Sequence, residues 1–148
     1  MGLLVLRCRC ESCAAAHPFV VVSAVVTVAG IAVAGAFGAL ARYGLEGLVS
    51  RRWPGAFPLG TFVVNISGAF AIGFLFVLLT ERVSVDPWVR PTVTIGFLGA
   101  YTTFSTFSFE SYRLLEDGAI GLALANTLGS LAAGLVAVYL GVAAGRAV

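Results

Sequence analysis

Four stretches of this chain run for about a bilayer's thickness with almost no charge: 19–41, 59–79, a third that starts near Trp88, and 120–143. A helix needs roughly 20 apolar residues to cross the hydrocarbon core. Within that core every main-chain polar group must be bonded inside its own segment. Together these constraints predict an all-α integral membrane protein with four transmembrane helices and short connections. Composition agrees, because 59% of the 148 residues are hydrophobic and 11% are charged, against about 25% charged in a soluble domain. The charges that a soluble exterior needs are missing. All nine basic residues are arginine, the net charge is +2, and no basic stripe suggests nucleic acid. Membrane lipid is the expected surrounding, with the cell membrane as the location.

Residues 1–18 stand apart from the four-helix unit, 19–148. The string CRCESC places Cys8, Cys10 and Cys13 close to His17. Thiolates at such spacing can share a metal ion, but no second ligand pair follows, so the segment reads as a disordered extension. An odd, clustered cysteine count gives no disulfide framework. Arg7 and Arg9 ahead of an apolar run raise the question of a signal peptide. At about 23 residues that run exceeds the usual apolar core of such a peptide, and further spans follow, so it reads as a retained helix.

Gly30, Ala34 and Gly38 lie four residues apart on the first span, a small-residue face that lets a second helix approach closely in lipid. Arg42 and Tyr43 close this span, and EGLVSRRWPGAFP reads as a connector broken by Pro54, Gly55 and Pro58. With four crossings, one side carries Arg7, Arg9, Arg82, Arg90 and Arg146, and the other Arg42, Arg51, Arg52 and Arg113. A fixed orientation usually shows a clear basic excess on one side. This balance instead predicts insertion in both orientations, which permits an antiparallel pair.

The inner spans carry polar residues at helical spacing. Asn65 heads a face continued by Ala69 and Gly73, and Asn126, Ser130 and Gly134 form a stripe on the fourth span. The third contains AYTTFSTFSFE, where Thr103, Thr106 and Glu110 share a face and Phe104 and Phe107 lie one turn apart. A charge at the centre of a span costs at least about 2.5–3.5 kcal/mol, so Glu110 either serves a pathway or sits near the interface, paired with Arg113 one turn on. Gly96 and Gly99, just before Thr102, predict a broken third helix. Unwound main chain at membrane depth is tolerated where protein, water or an ion satisfies it, and half-helix ends then serve as ion sites. Phenyl ring edges carry positive potential, and hydroxyls can rotate to donate to an anion. Donors and ring edges without a fixed cation suit a small hydrated anion that must bind and leave again.

The strings GAFGALARY (35–43), GTFVVNISGAFAIG (60–73) and GFLGAYTTFSTFSFE (96–110), with the small-polar face of the last span, resemble the CrcB/Fluc family of fluoride channels over roughly residues 30–145. The resemblance implies a four-helix subunit in an antiparallel, dual-topology dimer with two fluoride pores. It implies that Asn65, Phe104, Phe107 and Ser130 line the pore. Thr103, Ser105, Thr106 and Ser108 fall in the polar track, Glu110 at its end, and Arg42 near an aqueous vestibule. Gly99 and Thr102 match the positions whose carbonyls hold a structural sodium ion at the dimer interface.

Two positions depart from the family pattern. Asn126 stands where many members have tyrosine, and Ala100–Tyr101 replaces the usual Gly-Phe pair. An amide still donates to an anion, so Asn126 stays among the pore residues. The departures also admit a heterodimer with a divergent paralogue beside the homodimer, including a non-conducting partner subunit. A dual-topology proton-coupled exporter would need an ionisable residue in the first span, which has none before Arg42. A purely structural subunit leaves the hydroxyl–phenylalanine track without a purpose. An enzyme is not expected: there is no Ser/His/Asp set, and the lone His17 lies outside the spans. The expectation is passive fluoride export that lowers fluoride toxicity.

Overall fold

A computed structural model describes residues 18–148, with side chains from Val22 onward. The expected extension, with Cys8, Cys10, Cys13 and His17, lies outside the described residues. Helix α1 spans Pro18–Arg52 and α2 spans Leu59–Val77, continued by a wider π-helical turn, Leu78–Arg82. A second helical run follows as α3 (Val89–Pro91), a π-helical segment (Thr92–Leu98) and α4 (Gly99–Tyr101). After Thr102 and Thr103 come α5 (Phe104–Glu116) and α6 (Ile120–Ala147). The described residues are all-helical. Three helices are long and apolar enough to cross a membrane: Val22–Arg52, Leu59–Arg82 and Ile120–Ala147, with mean hydropathies of 2.1, 2.4 and 1.8.

The expectation that the first helix ends at Arg42–Tyr43 needs correction. Charge ends a membrane span, but it does not end a helix. Nothing between Tyr43 and Arg52 breaks α1, Val49 is buried in this part, and Arg51 and Arg52 occupy the last turn, where cations suit the helix dipole. The stop comes with Trp53 and Pro54. At 1.5 Å per residue the 35-residue helix is roughly 50 Å long, so its last turns extend beyond a core of about 30 Å.

Packing here depends on small residues. The face with Gly30 and Gly38 lies on the Thr92–Leu98 segment, and a Cβ at Gly38 would collide with the Phe97 carbonyl. Helices α2 and α6 pair as closely, since a Cβ at Gly141 would run into the Phe70 carbonyl and lie 2.9 Å from the Phe74 nitrogen. Such approach gives van der Waals contact along two backbones, which drives association where the hydrophobic effect between helices is absent. Because the obstacle at Gly141 is main chain, it cannot rotate aside. Gly141→Leu is therefore expected to cost about 3 kcal/mol, the upper end for overpacking, read as reversible unfolding of purified protein in mild detergent; an unchanged midpoint would contradict this packing.

Large apolar side chains lie outside. Phe37, Leu40, Leu128, Leu131, Leu135 and Tyr139 are all more than half exposed, whereas the largest fully buried side chains are Val64, Val77, Asn126 and Thr61. This inverts the arrangement of a soluble domain and suits a surface covered by lipid or protein.

Candidate functional site

The helical run that begins at Val89 stops at Tyr101. Thr102 (φ −79°, ψ 156°) and Thr103 (φ −146°, ψ 120°) are both extended. Thr103 is the N-cap of α5: its Oγ1 accepts the Thr106 N–H at 3.3 Å and donates to Thr106 Oγ1 at 3.0 Å. Capping satisfies one of the four amides left free at a helix start.

Asn65 holds the other side of the interruption. The Thr103 N–H donates to Asn65 Oδ1 at 2.8 Å, and Asn65 Nδ2 donates to the Thr103 carbonyl at 3.0 Å. One carboxamide thus pairs with both main-chain groups of one residue, as a neighbouring strand would. The consequence for nearby carbonyls is direct. In an uninterrupted helix the Thr103 and Thr106 N–H groups would serve the carbonyls of Gly99 and Thr102. Both are diverted, one to Asn65 and one to the Thr103 hydroxyl. The released Gly99 and Thr102 carbonyls are hard oxygen donors, and both residues line a pocket of about 280 Å³. The donor set fits an alkali cation.

Asn65 also lines a second pocket, of about 270 Å³, where it converges with Thr103, Phe104, Phe107 and Ser130. No charged side chain lines it among the described residues. The two rings have centroids 5.7 Å apart and planes inclined at 42°, an arrangement between stacked and edge-to-face. Asn65 has two amide hydrogens and uses one on Thr103, so a second donor remains. Phe104 is 80% exposed in the single chain, so this pocket opens on the chain's outer face.

From this pocket a polar seam runs between α2 and α5. One turn before Asn65, the buried Thr61 donates its hydroxyl to Glu110 Oε1 at 2.8 Å. Glu110 Oε2 is buried with no hydrogen-bond partner among the described residues. Of the two readings of Glu110 left open by the sequence, the one that pairs it with Arg113 fails. Arg113 lies 4.0 Å from Glu116 instead, and the Glu110 carboxylate is taken by Thr61.

The remaining expected residues are dispersed. Thr106 belongs to the cap, and Ser105 Oγ lies 3.3 Å from Thr103 Oγ1. Ser108 is exposed and donates to the Phe104 carbonyl of its own helix at 2.9 Å. Asn126 is buried behind the pocket, bonded to Ser111 and Ser130 rather than lining it. Arg42 is half-buried on α1 and lines none of these cavities. Sequence reasoning missed Thr61 and Ser111, although each lies four residues from a residue it did select, Asn65 and Phe107.

A family model described as CrcB-like protein, Camphor Resistance (CrcB), matches residues 20–142. The chain belongs to the CrcB family. It is 48% identical over 118 residues to the fluoride-specific ion channel FluC of Nitratidesulfovibrio vulgaris, covering 80% of this chain and 95% of that protein. Against the protein of the same name from Geotalea uraniireducens it is 50% identical over 121 residues, covering 82% and 98%. The fluoride-specific ion channel FluC 1 of Moorella thermoacetica is 45% identical over 112 residues, covering 76% and 80%. This CrcB chain is a multi-pass membrane protein, and the expected family stands. The matched region includes the break, its Asn65 clamp and both phenylalanines.

Proposed function

We propose that this chain is a subunit of a fluoride-selective channel that lets fluoride leave the cell passively. The observation that carries this reading is the uncharged pocket beside the break. An amide hydrogen, a rotatable hydroxyl and two tilted phenyl rings converge there. A strongly hydrated anion needs donors to replace its water, and it needs them without a fixed cation that would retain it. Ring edges supply positive potential at modest strength. Fluoride enters as neutral HF, dissociates in a near-neutral cytoplasm and leaves down its electrochemical gradient, which reduces its toxicity. The relatives' names supply fluoride as the ion, and the pocket chemistry agrees with it.

In this reading the run from Val89 to Tyr101 and α5 together make a broken third crossing, beside α1, α2 and α6. Phe104, 80% exposed in one chain, is covered by a second subunit in an antiparallel, dual-topology dimer. Ion contacts fall to Asn65, Phe104, Phe107 and Ser130, with Thr103, Ser105, Thr106 and Ser108 along the track. Glu110, set by Thr61, marks one end, and Arg42 the vestibule.

A sodium ion held by the Gly99 and Thr102 carbonyls supplies charge compensation for the oxygens that the break releases. Exchanging sodium for a bulky organic cation is then expected to lower the thermal unfolding midpoint by several degrees, since ligand at 100 times its Kd stabilises by about 2.7 kcal/mol. A midpoint indifferent to sodium would remove the ion from this account.

Efflux from liposomes containing the purified chain alone, followed with a fluoride electrode and with chloride as the control ion, tests the main reading. Rapid fluoride-selective release establishes the channel and shows that one kind of chain suffices. Silence from monodisperse protein overturns the homodimer, and silence after addition of a paralogue from the same genome overturns the channel.

A further inference from the structure

We infer that Asn126 is a positioning residue: it holds the Ser130 hydroxyl ready for the passing anion and does not touch the ion itself. This rests on the channel reading above and adds the group that governs one of its donors. Asn126 is 1% exposed, contributed by α6, and sits behind Ser130. Its Nδ2 donates to Ser111 Oγ at 2.9 Å, and Ser111 donates to the Phe107 carbonyl at 2.8 Å. One of its amide hydrogens thereby ties Asn126 to α5, and Oδ1 is turned to Ser130.

The Ser130 hydroxyl donates to Asn126 Oδ1 at 3.4 Å. That is long, since hydroxyl donors usually sit about 2.7–2.8 Å from their acceptor. The Thr103–Thr106 bond in the same region measures 3.0 Å. A serine in a helix ordinarily turns its hydrogen to the carbonyl four residues back, as Ser108 and Ser111 do here. Ser130 does not, because Asn126 offers Oδ1 in that direction.

A hydroxyl has one hydrogen, so Ser130 cannot donate to Asn126 and to an anion together. The long bond keeps the hydrogen off the backbone while holding it weakly. A charge-assisted bond is roughly twice as strong as a neutral one, so an arriving anion takes the hydrogen, and it returns to Oδ1 when the ion moves on. Such exchange suits a site that must bind and release. Asn126 also links this donor to the ring wall, through Ser111 and the Phe107 carbonyl.

A double-mutant cycle on efflux decides it. Asn126→Leu, Ser130→Ala and the double variant are compared in liposomes, with size-exclusion profiles recorded for each. Asn126→Leu and Ser130→Ala are each expected to lower flux about tenfold, and the double variant to lose no more than either single one. Losses that multiply to about a hundredfold would mean that Asn126 acts independently of Ser130, and would overturn the inference. So would unchanged flux in Asn126→Leu. Should leucine overpack the site and broaden the profile, Asn126→Ala carries the same cycle with the same outcomes. No efflux from the unsubstituted protein would instead overturn the channel reading on which the cycle depends.

Discussion

Replacing Asn65 with leucine is expected to lower fluoride efflux at least about 100-fold, which corresponds to roughly 2.7 kcal/mol in the barrier, while leaving the protein helical. Leucine has the branched shape of asparagine and suits the lipid environment, so the main loss lies in the two hydrogen bonds to Thr103. Thr103 is 7% exposed, and a buried main-chain group deprived of its partner costs about 1–3 kcal/mol. The nearest remedy is the ordinary helical one. The Thr103 N–H turns back to the Gly99 carbonyl, the interruption closes, and the released carbonyls are lost with it. Asn65→Leu is therefore expected to abolish the sodium dependence of the unfolding midpoint together with the flux, while circular dichroism shows helix content equal or slightly raised. Flux within about threefold of the unsubstituted protein, a difference below 1 kcal/mol, would show that the clamp is not what holds the break.

Phe107→Ile is the second substitution with a large expected effect, a fall in efflux of at least about tenfold, or 1.4 kcal/mol. Isoleucine keeps an apolar side chain of comparable reach but has no ring quadrupole, and so no positive edge. The pocket would remain, and Ser130 and Asn65 would keep their places. What changes is the potential felt by an anion passing the ring pair. Phe104→Ile makes the same test from the other ring, whose centroid lies 5.7 Å away. If both variants conduct like the unsubstituted protein, the phenylalanines are packing groups and the hydroxyls carry the ion alone. Gain of chloride passage in either variant would instead assign the rings a part in selectivity.

Much of the site was legible because lipid makes every polar residue costly. A soluble protein scatters serines and threonines over its surface without consequence, whereas here Asn65, Thr103, Thr106, Glu110 and Ser130 each had to be explained. Helical spacing then placed Thr103, Thr106 and Glu110 on one face, and three of these five converge with Phe104 and Phe107 on one pocket. Spacing along one helix says nothing about which group on another helix it meets. Arg113 looked like the partner of Glu110 because it lies three residues away, yet Thr61, forty-nine residues distant, is the one bonded to it. Asn126 shares a stripe with Ser130, yet it is buried against Ser111 and does not line the pocket that Ser130 enters.

The sequence by itself determined that this chain is helical, that it belongs in a bilayer and where its apolar segments lie. Hydrophobic length and the need to satisfy the main chain allow little else. It also determined the small face of Gly30, Ala34 and Gly38 on the first span, whereas the close approach at Gly141 emerged only from the packing of α2 on α6. Only the tertiary structure decided that α1 runs on to Arg52 and that Asn65 pairs with both main-chain groups of Thr103. It likewise decided that Glu110 belongs to Thr61 and Asn126 to Ser111. These are pairings between segments far apart in the chain, and they follow from how helices rotate and slide against one another. That choice is made by close packing over whole helix faces, and no single local stretch encodes it.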